Sequence, residues 1–107
     1  MSETTVTKSD AGSTVELEPG GTLTVRLEEV PTTGYRWAVD DVDSGILDFE
    51  ESGYERYSEG GVDGGGRRTF TFRAGATGTT TLQMELRREW QPETPEDRFE
   101  VTVTVRR

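Results

Sequence analysis

The 107-residue chain contains no cysteine and no histidine. Those two absences exclude disulfide staples, Cys or His nucleophiles and bases, and metal sites built on thiolate or imidazole ligands. Lysine is nearly missing as well: Lys8 stands alone among 12 basic residues, and the others are arginine. No apolar run approaches the roughly 20 residues that a membrane-spanning helix needs. The N-terminal stretch MSETTVTKSDAGS is polar and carries no signal-peptide core, so a cytoplasmic location is expected. No window shows an apolar stripe of period 3.6, which argues against helices of useful length. Apolar residues make up only 30% of the chain, a thin supply for a core, so each one has to be used efficiently.

Charge is equally one-sided. A net charge of −9 repels nucleic acid and anionic membrane, and neither is expected as a partner. The abundance of Asp and Glu with Arg in place of Lys fits adaptation to high salt, where a hydrated acidic surface preserves solubility. A GC-rich genome would also favour Arg over Lys.

What the chain does have is period-two alternation. Val15 and Leu17 begin it, followed by Leu23, Val25 and Leu27, then Tyr35, Trp37 and Val39. Phe70 and Phe72, Leu82, Met84 and Leu86, and Phe99, Val101, Val103 and Val105 continue it. Such spacing puts apolar side chains on one strand face and Thr, Arg or Glu on the other. Turn signals separate the runs: EPGG at 18–21, DSG at 43–45, GGVDGGG at 60–66, AGATG at 74–78 and QPETPED at 91–97. The expected fold is therefore an all-β, immunoglobulin-like sandwich of about seven to eight strands. One domain over residues 1–107 is expected, with roughly the first twelve residues partly frayed, although TTVT suits an edge strand.

Little in the sequence suggests catalysis. Acid–base work would fall to carboxylates, Tyr or Lys8, and so small a domain has little room for a substrate cleft. Asp41-Val-Asp43-Ser-Gly45 has the start of a calcium-loop spacing but lacks the further ligand and the distal glutamate, so it reads as an acidic turn. The glycines of GGVDGGGRR lead into a strand with no lysine after them, unlike a phosphate cradle. No metal, cofactor or catalytic residue is expected. Trp90, in RREWQP, either folds back over the core or stands exposed beside arginine as a binding hot spot.

The most unusual stretch is Glu29-Val-Pro-Thr-Thr-Gly-Tyr-Arg-Trp37. Hairpin turns favour Asn-Gly or Asp-Gly, whereas Val-Pro-Thr-Thr is stiff. Together VPTTGY, DGGG before RRTFTFRA, and RREW after LQMEL resemble, in order, the three loops of the chagasin-type inhibitors of cysteine peptidases. Members of that family carry NPTTGY, GxGG and RPW or RPF loops on an immunoglobulin-like sandwich. The resemblance runs from about Val15 to the C-terminus.

It implies a reversible, non-covalent inhibitor of papain-family peptidases that acts as a monomer through three loops at one end. By that resemblance Val30, Pro31, Thr32, Thr33, Gly34 and Tyr35 enter the protease cleft. The alternation of Tyr35 and Trp37 is itself expected to anchor the loop base in the core. Gly64, Gly65 and Gly66 lie alongside through their backbone, and Arg88 and Trp90 flank the third side. Val30 replaces the family's Asn, Asp63 its first loop glycine and Glu89 its proline. The Asn replacement removes any hydrogen bond that its side chain makes within the loop. The competing reading is a non-inhibitory binding module for carbohydrate or another protein, with Tyr54, Tyr57 and Trp90 as aromatic pieces.

Overall fold

A computed structural model describes residues 3–30, 33–56 and 65–107. Among the described residues eight strands follow one another: β1 (Glu3–Thr7), β2 (Thr14–Leu17), β3 (Thr22–Glu29), β4 (Arg36–Asp41), β5 (Leu47–Arg56), β6 (Gly66–Ala74), β7 (Gly78–Arg87) and β8 (Asp97–Val105). They form two four-stranded sheets, ordered β1-β3-β6-β5 and β2-β8-β7-β4. The sandwich expected from the alternation is what the chain forms.

Among the described strands, the chain changes sheet between most successive ones, and only the β5–β6 and β7–β8 pairs are consecutive within one sheet. Residues 3–7, for which fraying and an edge strand were both open, pair in parallel with β3. A 3-10 turn, Lys8–Asp10, then carries the chain across to β2, which pairs in parallel with β8. The Asp10 carboxylate accepts the Thr7 N–H at 2.8 Å and closes that turn.

The alternating residues fill the space between the sheets. Leu23 sits opposite Phe72 and Val25 opposite Phe70 in one sheet; Leu82 faces Val101 and Met84 faces Phe99 in the other. All eight are buried. Full burial of such a side chain contributes about 1.5–3 kcal/mol, so a chain with few apolar residues still builds a continuous core when nearly all of them point inward.

One strand was not legible from alternation. β5, LDFEESGYER, has its register shifted by a bulge between Phe49 and Glu51, which switches the side-chain parity partway along. Phe49 remains 46% exposed at this sheet edge while its ring lies 5.7 Å from that of Phe72. Pairing with β6 makes it a strand, and the acidic side chains of Asp48, Glu50 and Glu51 discourage further pairing at its free edge.

Strand direction sorts the connections into two groups. The β2–β3, β4–β5 and β6–β7 turns lie at one end of the sandwich. The ends of β3, β5 and β7 and the starts of β4, β6 and β8 lie at the other, where the three segments singled out in the sequence leave and rejoin the sheets.

Candidate loop site at one end of the sandwich

The β3–β4 loop starts from a buried polar node. Alternation carried one step beyond Leu27 puts Glu29 on the core face, and its side chain is fully buried. Its Oε1 accepts the Trp37 N–H at 2.8 Å, and its Oε2 accepts Arg68 Nε and Nη2 at 3.0 and 2.8 Å. The Trp37 indole N–H donates to the Glu28 carbonyl at 2.8 Å. Tyr54 donates its hydroxyl to the Glu29 carbonyl at 3.1 Å, and its ring lies 5.0 Å from the Arg68 guanidinium. Both oxygens of the carboxylate therefore have partners, which is the condition under which a buried charge is tolerated.

Above the node the loop supports itself. The Val30 carbonyl accepts both the Thr33 N–H at 3.1 Å and the Thr33 hydroxyl at 2.7 Å. The same hydroxyl oxygen accepts the Tyr35 N–H at 3.2 Å. Thr33 thus supplies the internal hydrogen bonding for which an Asn at position 30 was considered, and Val30 takes part through its backbone. The Val30 side chain is 38% exposed. Pro31 and Thr32 lie outside the described residues.

The β7–β8 loop reaches across to this one. Arg88 donates from Nε to the Thr33 carbonyl at 3.2 Å, and its guanidinium stacks 4.2 Å from the centre of the Tyr35 ring. It also lies 5.7 Å from the Trp90 ring. Gly34 has φ of +82°, a conformation that suits glycine, and a Cβ there would come 2.7 Å from Cη2 of Trp90. The indole therefore lies over Gly34, and a side chain at that position would have to push it aside. Trp90 is still 67% exposed, so it does not fold back over the core. Strand alternation does not reach it because β7 ends at Arg87 and Arg88 bridges to Gln91.

Some candidates are placed differently from their expected roles. Tyr35 is half-buried under Arg88 and does not join the core; Trp37 alone does so, at 6% exposure. Gly66 is buried in β6, where a Cβ would fall 2.4 Å from the Glu55 carbonyl oxygen and 2.7 Å from the Tyr54 hydroxyl. Its missing side chain serves packing. Gly65 is half-buried just before the strand, and Gly64 lies outside the described residues. An open groove of about 390 Å³ runs beside the first loop, bounded by Val30, Thr33, Tyr35, Leu86, Glu96 and Asp97.

Other motifs resolve as local structure. The Asp43 carboxylate accepts the Gly45 N–H at 3.0 Å, which accounts for the Asp-Ser-Gly sequence as a turn. No group of three or more potential metal ligands converges among the described residues. Tyr54 is committed to Glu29 and Arg68, so it is not a piece of an exposed sugar platform. Tyr57 lies outside the described residues. The residues that sequence reasoning passed over are Glu29 and Arg68. Stepping by two from Leu27 and from Phe70 would have placed both on the core face.

An immunoglobulin-like sandwich that interlocks a Thr-Thr-Gly-Tyr loop with an Arg/Trp loop at one end defines a class of loop-presenting inhibitor domains. The pattern of the chagasin family peptidase inhibitor I42 matches residues 16–105, and the chain belongs to that family. Among its relatives is Amoebiasin-1 of Entamoeba histolytica, 26% identical over 100 residues that span 94% of this chain and 97% of that one. Among solved structures, the fold matches that of EhICP2, a cysteine protease inhibitor of Entamoeba histolytica, with a TM-score of 0.88 at 18% identity, over 98% of this chain and 96% of the other. It also matches PbICP-C, solved in complex with falcipain-2, with a TM-score of 0.70 at 17% identity, over 97% and 89% of the two chains.

Proposed function

We propose that this protein is a reversible, non-covalent inhibitor of papain-family cysteine peptidases. It blocks the active-site cleft with the Val30–Tyr35 loop, flanked by the glycine loop that ends at Gly65 and by Arg88 and Trp90. The observation that carries the reading is the interlock of Thr33, Gly34 and Tyr35 with Arg88 and Trp90. A loop held at its base by Trp37 and at its shoulder by Arg88 loses little freedom on docking, and a preformed loop gains affinity in that way. Family membership supports it, and so does the PbICP-C structure, in which a relative is bound to falcipain-2.

The chain acts by occupancy and not as an enzyme. Pro31 fixes its own φ and biases Val30 toward extended backbone, so the loop is stiff as it enters a groove made for extended peptide. A wedge held out of attack geometry presents the cysteine with no bond it can cleave. One loop buries too little surface, since a specific complex needs about 800 Å² per partner, and three loops at one end supply the rest. Trp90, large and exposed, is the side chain assigned the greatest share of binding energy.

Titration of papain with the purified protein, at low and at high salt, tests this. Stoichiometric, reversible inhibition is expected, with the inhibitor recovered uncleaved by mass spectrometry. An absence of inhibition at micromolar concentration in both salts would overturn it.

A further inference from the structure

We infer that Glu29 and Arg68 are positioning residues of the inhibitory loop: the buried carboxylate and its half-buried arginine set the pose in which β3 releases the loop and β4 takes it up. This rests on the inhibitor reading above. Glu29 is the last residue of β3, and Trp37, whose N–H it accepts, is the second residue of β4. The carboxylate thus bridges the two feet of the loop. Arg68 reaches it from β6 through two hydrogen bonds to one oxygen, and Tyr54 of β5 holds both the guanidinium and the Glu29 carbonyl. Four strands from both sheets meet at this one carboxylate and its backbone.

Stability does not account for such a pair. A buried ion pair is often no better than apolar side chains of the same volume, because desolvation offsets its attraction. Glu29 and Arg68 both occupy core-facing positions next to Leu27 and Phe70, where an apolar pair would extend the core without a charge. What hydrogen bonds add is direction: they fix the separation and angle of the loop's feet, which apolar contact leaves free. Arg68 donates to Glu29 and stacks on Tyr54, neither of them assigned to protease contact, so its influence on inhibition is expected to run through Glu29.

The double variant Glu29→Leu/Arg68→Leu removes both charges together, so neither ion is left without its counter-ion, and it takes from the Trp37 N–H the acceptor that ties the loop's two feet. It is expected to fold cooperatively and to inhibit papain at least tenfold more weakly at a temperature where all of it is native. Hydrogen exchange supplies a readout that does not depend on inhibition. The Thr33 and Tyr35 amides, bonded inside the loop, should exchange faster in the variant, while core amides such as Val25 and Val101 keep their protection. Glu29→Gln, which retains an acceptor for the Trp37 N–H, should recover part of both effects. If the double variant does not fold, Glu29→Gln against the parent carries the same comparison, with a smaller expected loss. A native variant with unchanged inhibition and unchanged exchange at Thr33 and Tyr35 would overturn the assignment. Failure of the parent protein to inhibit papain would instead count against the proposed function, while the exchange comparison would still judge the role of the pair.

Discussion

The two ends of the sandwich are closed by different kinds of bond. At the end away from the loops, main chain meets main chain. Gly20 N–H donates to the Ala74 carbonyl at 2.8 Å, Ala74 N–H to Gly21 at 2.8 Å, Gly75 N–H to Ile46 at 2.8 Å and Ala76 N–H to Gly45 at 2.9 Å. Three turns are laced together there mainly through main chain, with one side-chain tie from the Asp43 N–H to the Thr80 hydroxyl at 2.9 Å. At the loop end, the β3–β4 and β7–β8 loops are joined through side chains: Arg88 to the Thr33 carbonyl, Arg88 on Tyr35, and Trp90 over Gly34. Backbone lacing tolerates little change, because any added atom displaces the chain itself. Side-chain ties can be altered one by one while the strands stay paired. One end is thus built for stability, and the other can vary its contacts without endangering the fold.

The sharpest way to break this division is Trp37→Ala. Trp37 is buried in the core and also bonds both Glu28 and Glu29 at the loop base, so it belongs to both functions. A loss of about 3–5 kcal/mol is expected from such a deletion, read as a fall in the denaturant midpoint, with inhibition lost in parallel. Retained stability would mean that the core can close over the gap.

Gly75→Ala probes the laced end alone. An added Cβ would lie 2.7 Å from the Gly45 carbonyl oxygen, a contact that has to be relieved by moving backbone. Destabilisation of about 1–3 kcal/mol is expected, with the inhibition constant unchanged when measured well below the melting temperature. A matching loss of affinity would show that the two ends are coupled.

Trp90→Ala is the reciprocal test. Its exposed indole contributes little to folding, so the midpoint should move by no more than about 0.5 kcal/mol. Inhibition should weaken by about 30-fold, equivalent to about 2 kcal/mol at a binding hot spot. A large drop in melting temperature would return Trp90 to a packing role.

The smallest effects are expected inside the first loop, where Thr33 and Val30 can be separated. Thr33→Ala removes a hydroxyl that donates to the Val30 carbonyl and accepts from Tyr35, at about 1 kcal/mol per net hydrogen bond. Inhibition weaker by about fivefold, with little change in melting temperature, would follow from a loosened loop. Val30→Asn should change inhibition by less than about twofold, because the Val30 carbonyl already serves as the loop's acceptor. Kinetic inhibition assays on the two variants side by side decide whether the threonine or the residue before proline governs the loop.

The sandwich and the stiff first loop were legible because both rest on local rules, whereas the gathering of three loops at one end came from the family resemblance. Alternation at Leu23, Val25 and Leu27, or at Val101, Val103 and Val105, states which face of a strand is buried, whatever its neighbours. The stiff Val-Pro-Thr-Thr-Gly-Tyr stretch likewise declares itself within a few residues. The same parity rule already put Glu29 and Arg68 on the core face. It carried no information that they would meet, since 39 residues separate them along the chain. β5 was hidden for a related reason: its bulge resets the parity, and only pairing with β6 makes it a strand.

Trp90 shows the limit most clearly. Its sequence context allowed a core lid or an exposed platform, and the choice fell to Gly34 on another loop, which has no side chain to keep the indole away. The sequence by itself determined strand faces, the turn points and the stiffness of the first loop, because period-two geometry and the φ limits of Pro and Gly act within a few residues. The tertiary structure alone decided which carboxylate met which guanidinium, where Tyr35 and Trp90 came to rest, and how each end was tied. Those outcomes depend on groups brought together by sheet pairing and registry, across distances along the chain that no local pattern encodes.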